Sequence, residues 1–293
     1  MRSLDVHGVL AIAFAFLPSL NRGSPGWRED ESGVYVEVQV ASLPFAATFA
    51  KLQGGPPKRF FIEVGAHRAR ETAEFDSQDD FILSFEPLLD KYAARLEGYG
   101  QDTWAALKRR PLGFQHPRGM VFPMAVGCST RSASLSVAEF DGCSSLMARN
   151  EEAEWEHGIF QNFKEVCATE VEKRLVPCIS LQHVIESWLD RREIFLLKVD
   201  AQGSDLAIVQ SAGPMLQKIQ HIQLEARCDN ATALYLAPSC TDIWTYMTQT
   251  AGYACDYMQT PETLLKYARC RHQPLFCRSS ICRHEVDMYF SRA

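Results

Sequence analysis

Short apolar runs recur along the chain, and stretches whose apolar residues have helical spacing lie between them. Apolar runs of this kind are typical of strands that are buried on both faces of a sheet. The runs predicted as core strands are residues 59–64, 81–85, 120–126, 194–199 and 219–224, the third of them weakened by Pro123. Because strands and helices alternate from residue 59 onward, the order predicts βαβ crossovers and a doubly wound, mainly parallel sheet.

The other segments have more varied patterns. Residues 34–40 and 132–137 alternate between apolar and polar positions, as half-buried or edge strands do. The charged stretch 151–173 is predicted to be helical in part, and residues 176–179 to be a short extended piece. Further predicted helices are residues 68–75, 88–96, 181–189 (with Ser180 as N-cap), 205–211 and 242–250, and further strands are residues 253–258 and 286–290.

Length and composition favour an ordinary globular protein. The chain has 293 residues, of which 46% are hydrophobic and 23% are charged, so it is not disordered, collagen-like or coiled-coil. We expect one domain over residues 31–293, preceded by an extension over residues 1–30. The formal net charge of −6 disfavours sequence-independent binding of nucleic acid, which requires a basic surface.

The N-terminal extension leaves the compartment open between two alternatives. Residues 8–17 (GVLAIAFAFL) form an apolar run that is too short to span a bilayer. The run has the character of a signal-peptide core, which predicts a secretory or extracellular protein, although no clean cleavage site follows it. Otherwise it is a buried strand or short helix of a cytoplasmic protein. No second apolar run follows, so we expect no integral membrane segment.

Ten cysteines are many for this length, and five of them follow residue 239. No pair has the CxxC spacing of a zinc ribbon or a redox motif, so no metal site is predicted. Disulfides are expected if the protein is exported, and free thiols if it is cytoplasmic. The state of the cysteines is therefore linked to the interpretation of the N-terminal run.

Acidic residues stand at the ends of the predicted core strands. They are Glu63, Glu86, Asp200 and Glu225, and Gly65 follows the first strand. In open α/β sheets, ligands bind outside the carboxyl ends of the strands. Glu86 lies 21 positions after Gly65, which is the spacing of an acid that binds an adenosine ribose. Because the turn lacks the second glycine that a pyrophosphate needs, the pattern favours a nucleoside without phosphate, such as S-adenosylmethionine.

An ordered set of short motifs points in the same direction. The set comprises FIEVGA (residues 61–66), FEP (85–87), AVG (125–127), SSL (144–146), ISL (179–181), LKVDAQGSD (197–205), SAG (211–213) and QLE (223–225). In this order the motifs resemble those of the FkbM-type S-adenosylmethionine-dependent methyltransferases. The resemblance covers about residues 59–226, and the ordered set is more specific than any single motif.

The resemblance implies a fold and a cofactor site. We expect a Rossmann-like sheet of the class I methyltransferase type, mainly parallel with an antiparallel final strand. The resemblance assigns cofactor binding to Gly65, Ala66, His67, Glu86, Pro87 and Ala125, and places Glu63 near the amino group of the methionine moiety. The sequence departs from the family pattern at Glu63 (usually Asp), His67 (usually Asn), Ala69 (usually Gly) and Gln202 (usually Glu).

Lys198 and Asp200 are the predicted catalytic residues. Strand alternation places both side chains on one side, within reach of a salt bridge. We expect Asp200 to have a catalytic or acceptor-orienting role in methylating a hydroxyl of a sugar, a natural product or another small molecule. A polar insertion with Ser144, Ser145 and Asn150 either lines the acceptor side or is a solvated loop.

Two other functions remain open from the sequence. The altered first motif allows a non-catalytic binding module on a methyltransferase scaffold. A nucleotide- or sugar-nucleotide-using enzyme on the same sheet is disfavoured, because no glycine-rich loop is present to cradle phosphates. The oligomeric state is not predicted.

Overall fold

A computed structural model of the protein describes residues 28–30, 33–35, 56–67, 79–97, 119–128, 131–150, 166–227, 235–259, 266–268 and 285–292. The chain divides into two compact units, Met1–Ala41 and Ser42–Ala293. In the first unit, β1 (Arg28–Asp30) and β2 (Gly33–Tyr35) pair as antiparallel strands. The apolar run at residues 8–17, most of the predicted strand 34–40 and the predicted helix 68–75 lie outside the described residues.

The second unit contains the remaining strands. In chain order they are β3 (Arg59–Val64), β4 (Asp80–Phe85), β5 (Gly119–Phe122), β6 (Ala125–Val126), β7 (Ser132–Ala138), β8 (Glu170–Ile179), β9 (Ile194–Val199), β10 (Ile219–Arg227), β11 (Tyr253–Gln259), β12 (Lys266–Ala268) and β13 (Glu285–Arg292). Eight of these described strands form one sheet in the order β12-β11-β13-β10-β9-β3-β4-β5. The run from β10 to β5 is parallel throughout, while β13 is antiparallel to both of its neighbours.

The predicted fold class is therefore confirmed: the sheet is mainly parallel and Rossmann-like, and its final strand is antiparallel. Strands β4 and β3 are buried almost throughout, as their continuous apolar runs predicted. Trp188 packs on Phe122 and Phe85, with ring centroids 4.8 and 6.1 Å apart, and so covers one face of the sheet.

The prediction of one strand over residues 120–126 is wrong. The chain breaks at Pro123, where β5 in the large sheet ends and β6 in a second, three-stranded sheet follows. Proline has no N–H to donate to a strand ladder, and the N–H of Met124 donates back to the carbonyl of Phe122 at 2.9 Å. The two halves of the apolar run can therefore belong to different sheets.

The second sheet also corrects the prediction for the charged stretch. Residues 170–173 were expected to be part of a partly helical segment, but they begin strand β8, which pairs antiparallel with β7 and parallel with β6. The expected short extended piece is thus the end of a ten-residue strand. Pairing with β7 overrides the helical composition, because strand preference depends strongly on the neighbouring strand.

Helices flank the large sheet. They are α1 (Leu89–Glu97), α2 (Leu181–His183, extended by a π-helical turn over Val184–Trp188), α3 (Asp205–Gln210) and α4 (Cys240–Thr245, extended by a π-helical turn over Tyr246–Thr250). The predicted N-cap of α2 is confirmed, since the hydroxyl of Ser180 accepts the N–H of His183 at 3.2 Å. Within the described residues, no helix is long and apolar enough to cross a membrane.

Candidate functional site

A cavity of about 300 Å³ opens where the carboxyl ends of β3, β4 and β9 meet. Its wall comes from the segments that follow these strands, from β6, and from residues 140–146. Ligands of doubly wound sheets bind at this edge. Of the predicted site residues, Gly65, Ala66, His67, Glu86, Pro87, Ala125, Lys198 and Asp200 all line the cavity.

Gly65 allows the loops after β3 and β9 to meet. It has φ +75°, and a Cβ atom added there would lie 1.7 Å from the carbonyl oxygen of Asp200. The N–H groups of Gly65 and Ala66 both donate to the carbonyl of Phe85, at 3.1 and 3.2 Å. The loop is therefore bonded to the end of β4 and packed against the loop after β9, and only glycine fits at position 65.

Glu86 is a buried carboxylate in the cavity wall, with 4% of its surface exposed. One carboxylate oxygen, Oε2, accepts the N–H of His67 at 2.7 Å, and Oε1 accepts the N–H of Leu88 at 2.8 Å. Each carboxylate oxygen has more than one lone-pair direction, so these bonds fix the group without exhausting its capacity to accept. Glu86 can thus accept hydrogen bonds from the hydroxyls of a ligand in the cavity.

Glu63 lies on β3 and is not one of the residues that line the cavity. Its side chain is fully buried and accepts the hydroxyl of Ser84 at 2.8 Å. It is opposite Lys198 in the β3–β9 register. The described cavity wall includes the next residue, Val64, but not Glu63. The structure therefore does not bring Glu63 to the cavity with the other predicted residues, and its role toward the methionine moiety stays a prediction.

Lys198 and Asp200 form the predicted pair. The Nζ atom of Lys198 lies 3.5 Å from Oδ2 of Asp200, and both residues line the cavity. Lys198 is 4% exposed, while the side chain of Asp200 is 28% exposed. The ammonium is thus buried against the sheet, and the carboxylate is accessible from the cavity. The expectation that alternation brings the two groups together is confirmed.

Gln202 links the acids at the ends of β9 and β10, a role that the sequence analysis missed. Its amide Nε2 donates to Oδ1 of Asp200 at 3.3 Å and to Oε2 of Glu225 at 3.0 Å. The backbone of Gln202 has φ +49°, and its carbonyl accepts the hydroxyl of Ser145 at 2.7 Å. Non-glycine residues with positive φ persist only where the surroundings hold them. The amide of Gln202 therefore lies fixed between two carboxylates.

Asp205 is a fully buried acid behind this loop. Burial and the negative charge of Asp200 raise the pKa of Asp205 to about 7, although backbone N–H groups act in the opposite direction. Its Oδ2 accepts the N–H of Gly203 at 3.2 Å. In the sequence, Asp205 is marked only by the LKVDAQGSD motif and by the start of a predicted helix. Its burial becomes visible only when α3 is packed against the sheet.

The segment 140–146, part of which was predicted to be either acceptor wall or solvated loop, lines the cavity. A short 3₁₀ turn, Asp141–Cys143, lies within it. The ring Nε2 of His67 lies 3.1 Å from Oδ1 of Asp141. Asp141 also forms a salt bridge with Lys91, a residue of α1. Neither Asp141 nor Lys91 belongs to a sequence motif identified above.

Every cysteine in the described part of the chain is disulfide-bonded. The pairs Cys128–Cys178 and Cys143–Cys167 are formed within it, and Cys240 and Cys255 are also in disulfides. Cys143 ends the 3₁₀ turn in the cavity wall, so the second pair anchors that turn. Across the same described residues, there is no group of three or more His, Cys, Asp or Glu side chains that could hold a metal ion.

The strand order, the antiparallel final strand and the cavity at the carboxyl edge define a Rossmann-like protein of the class I methyltransferase type. The family follows from a match between residues 63–255, about two thirds of the chain, and the model of the methyltransferase FkbM domain. The chain belongs to the FkbM methyltransferase family. No curated protein matches it significantly.

Solved structures similar to the chain include three with TM-scores between 0.30 and 0.37. The first is a TehB-like SAM-dependent methyltransferase from Corynebacterium glutamicum, with a TM-score of 0.37, 6% identity and coverage of 85% of this chain and 92% of that one. A fibrillarin/Nop5p complex gives a TM-score of 0.36 and 9% identity, with 92% of this chain and 90% of that chain covered. The glycopeptide N-methyltransferase MtfA complexed with sinefungin gives a TM-score of 0.30 and 8% identity, with 99% of this chain and 98% of that chain covered. At such low scores these likenesses add nothing to the functional assignment.

Proposed function

We propose that the protein is an S-adenosylmethionine-dependent methyltransferase that methylates a hydroxyl oxygen of a sugar, a natural product or another small acceptor. The observation that carries the proposal is that Gly65 and Glu86 both line the same cavity. A glycine turn, in which any side chain would collide with the carbonyl of Asp200, stands beside a buried carboxylate whose oxygens are of the type that accepts ribose hydroxyls.

The charges in the described cavity wall fit a nucleoside without phosphate. Its basic side chains are Lys198 and His67, and each is paired with an acid, Asp200 and Asp141 respectively. A phosphate would require free cationic groups or a glycine-rich nest of N–H groups. Glu86 would hold the ribose, while Ala66, Pro87 and Ala125 would supply apolar wall around the rest of the cofactor.

The reaction requires an oriented acceptor and a group that takes its proton. When bound, S-adenosylmethionine supplies an electrophilic methyl group. Asp200 is accessible from the cavity and accepts the proton of the acceptor hydroxyl as the oxygen attacks. Lys198 holds the Asp200 carboxylate in place, and the amide of Gln202 fixes its other oxygen. This pair favours an enzyme over the alternative of a non-catalytic module.

Calorimetry with S-adenosylhomocysteine tests the cofactor assignment. The wild type should bind with micromolar affinity, and Glu86→Ala should lose that binding. Glu172→Ala, which removes an exposed acid paired with Arg174, is the matched control and should bind like the wild type. Failure of the wild type to bind at millimolar ligand would overturn the proposal. Equal binding by Glu86→Ala would overturn the ribose assignment.

The compartment is a second part of this proposal. Six cysteines in disulfides favour an oxidising environment, because cytoplasmic proteins keep their thiols reduced. We therefore place the protein in the secretory pathway or outside the cell, with residues 8–17 as the core of a signal peptide. A fluorescent reporter fused to the C-terminus should enter the secretory pathway. Uniform cytoplasmic fluorescence would contradict this assignment.

A further inference from the structure

Lys91 is a buried cation that the proposed reaction does not use. It lies on α1, the helix that follows Glu86, and only 1% of its surface is exposed. Lysine is almost never buried to this extent unless it is paired. Its Nζ atom forms salt bridges with Asp90, at 3.2 Å, and with Asp141. The partners therefore lie on its own helix and on the turn in the cavity wall.

The ammonium of Lys91 forms a salt bridge with each of its two neighbouring acids, Asp90 and Asp141. Partial burial opposes ionisation of Asp90, but the hydrogen bond and charge of Lys91 outweigh it and lower the pKa of Asp90 below its ordinary value. Asp90 remains largely exposed, with 64% of its side chain accessible. Asp141 is more enclosed and faces the cavity, so the second salt bridge is the one that connects Lys91 to the site.

Asp141 extends the connection to the first cofactor motif. Its Oδ1 lies 3.1 Å from Nε2 of His67, while its Oδ2 pairs with Lys91. The backbone N–H of His67 donates to Glu86, so the ring and the main chain of one residue contact two parts of the wall. His67 has φ +43°, a conformation that needs support from its surroundings in a residue other than glycine.

We infer that Lys91, Asp141 and His67 form a polar chain, an ion pair followed by a hydrogen bond, that positions the cofactor loop, Gly65–His67, against Glu86. The inference rests on the proposed cofactor site. It explains how the site is built where the sequence departs from the family pattern, since His67 replaces the usual Asn and brings a ring that reaches Asp141. Lys91 and Asp141 are therefore positioning residues, which act on the cofactor through His67 and Glu86.

The test combines two substitutions that suit their positions. Lys91→Met retains an unbranched side chain in the buried space, and the two partner carboxylates, Asp90 and Asp141, keep 64% and 26% of their side chains exposed, so neither is left as a fully buried unpaired charge. His67→Asn tolerates positive φ but does not reach Asp141 with a ring. Lys58→Met is the matched control, because Lys58 forms an exposed salt bridge with Asp79 at 3.1 Å.

In calorimetry, the dissociation constant for S-adenosylhomocysteine should rise by about tenfold or more in Lys91→Met and in His67→Asn. The thermal unfolding midpoints of both variants should stay close to that of the wild type. Both substitutions interrupt the same series of contacts, so their effects on binding should not multiply. The double variant should bind S-adenosylhomocysteine as weakly as the weaker-binding single variant. Lys58→Met should bind like the wild type. Wild-type binding by both single variants, or fully multiplied losses in the double variant, would overturn the inference.

A second measurement needs no ligand. Hydrogen exchange at the amide of His67, which is bonded to Glu86, should be at least about tenfold faster in Lys91→Met and unchanged in Lys58→Met. If the wild type fails to bind S-adenosylhomocysteine, the proposed function fails, and this exchange rate alone decides the positioning role. An unchanged rate in Lys91→Met would refute it even where the wild type binds.

Discussion

The carbonyl oxygen of Asp200 occupies the space that a side chain on residue 65 would need, with 1.7 Å between that oxygen and an added Cβ atom. The residue proposed to face the acceptor, Asp200, and the residue proposed to form the cofactor turn, Gly65, are thus in direct backbone contact. A shift of the backbone at either position moves the other, which couples the two halves of the proposed site.

Gly65→Ala should therefore remove binding of S-adenosylhomocysteine and lower the free energy of unfolding by about 3 kcal/mol or more, since backbone must shift to admit the Cβ. Gly252→Ala is the matched control. It has the same φ of +75°, but an added Cβ there meets nothing within 4 Å. This control should cost only the backbone strain of about 1–2 kcal/mol and leave binding intact. Denaturant unfolding and calorimetry check both variants. If Gly65→Ala and Gly252→Ala changed stability and binding equally, the contact between residue 65 and Asp200 would not be the cause of the effect.

Gln202→Glu should destabilise the protein at pH 8. The substitution replaces an amide that donates to Asp200 and Glu225 by a third carboxylate, so two hydrogen bonds are exchanged for repulsion. We expect a loss of about 1–3 kcal/mol at pH 8, shrinking at pH 5, where a protonated Glu can donate again. Gln220→Glu, at an exposed amide bonded to Glu193, should change stability little. A loss that does not depend on pH would contradict this explanation.

The strands and the strand-end residues were accessible from the sequence because they depend on local pattern. Burial on both faces makes β3, β4 and β9 continuous apolar runs, and alternation alone places Lys198 beside Asp200. The first part of strand β8 was missed because its charged residues, Glu170 to Lys173, have a helical composition and form a strand only by pairing with β7.

The contacts around the first motif could not be predicted in the same way. His67 and Asp141 are 74 positions apart, and no spacing rule connects a loop to a distant 3₁₀ turn. Lys91 has the pattern of a solvated helix residue, and its burial arises only when that turn closes over α1. The bridge from Gln202 to Glu225 likewise joins the ends of two strands that are neighbours only in the folded sheet.

Asp205 should make stability fall as the pH rises. Its pKa in the folded protein is about 7, above the ordinary value of 3.8, so the folded state holds the proton more tightly than the unfolded state. The stability that protonated Asp205 contributes is therefore fully present at low pH and is lost between about pH 4 and pH 7. Asp205→Asn stays neutral and still accepts the N–H of Gly203. Between pH 4 and pH 8, the free energy of unfolding of Asp205→Asn should rise by about 4 kcal/mol relative to that of the wild type.

Chemical unfolding at several pH values, with the disulfides intact, measures that gain. Asp79→Asn is the control, because Asp79 is half-exposed and pairs with exposed Lys58. Its stability relative to wild type should vary much less across the same pH range. A flat difference between wild type and Asp205→Asn would show that Asp205 is ionised in both states.

Asp200→Asn should separate catalysis from cofactor binding. The amide keeps the size of the carboxylate but cannot take a proton, so methyl transfer should fall by about 10²- to 10⁴-fold. Binding of S-adenosylhomocysteine should change by less than about threefold, since the proposed site assigns ribose recognition to Glu86. The assay follows tritium from labelled S-adenosylmethionine into a panel of polyhydroxylated small molecules, with Asp79→Asn as the matched control. Transfer by Asp200→Asn at the wild-type rate would remove Asp200 from the reaction and leave Lys198 without a catalytic partner.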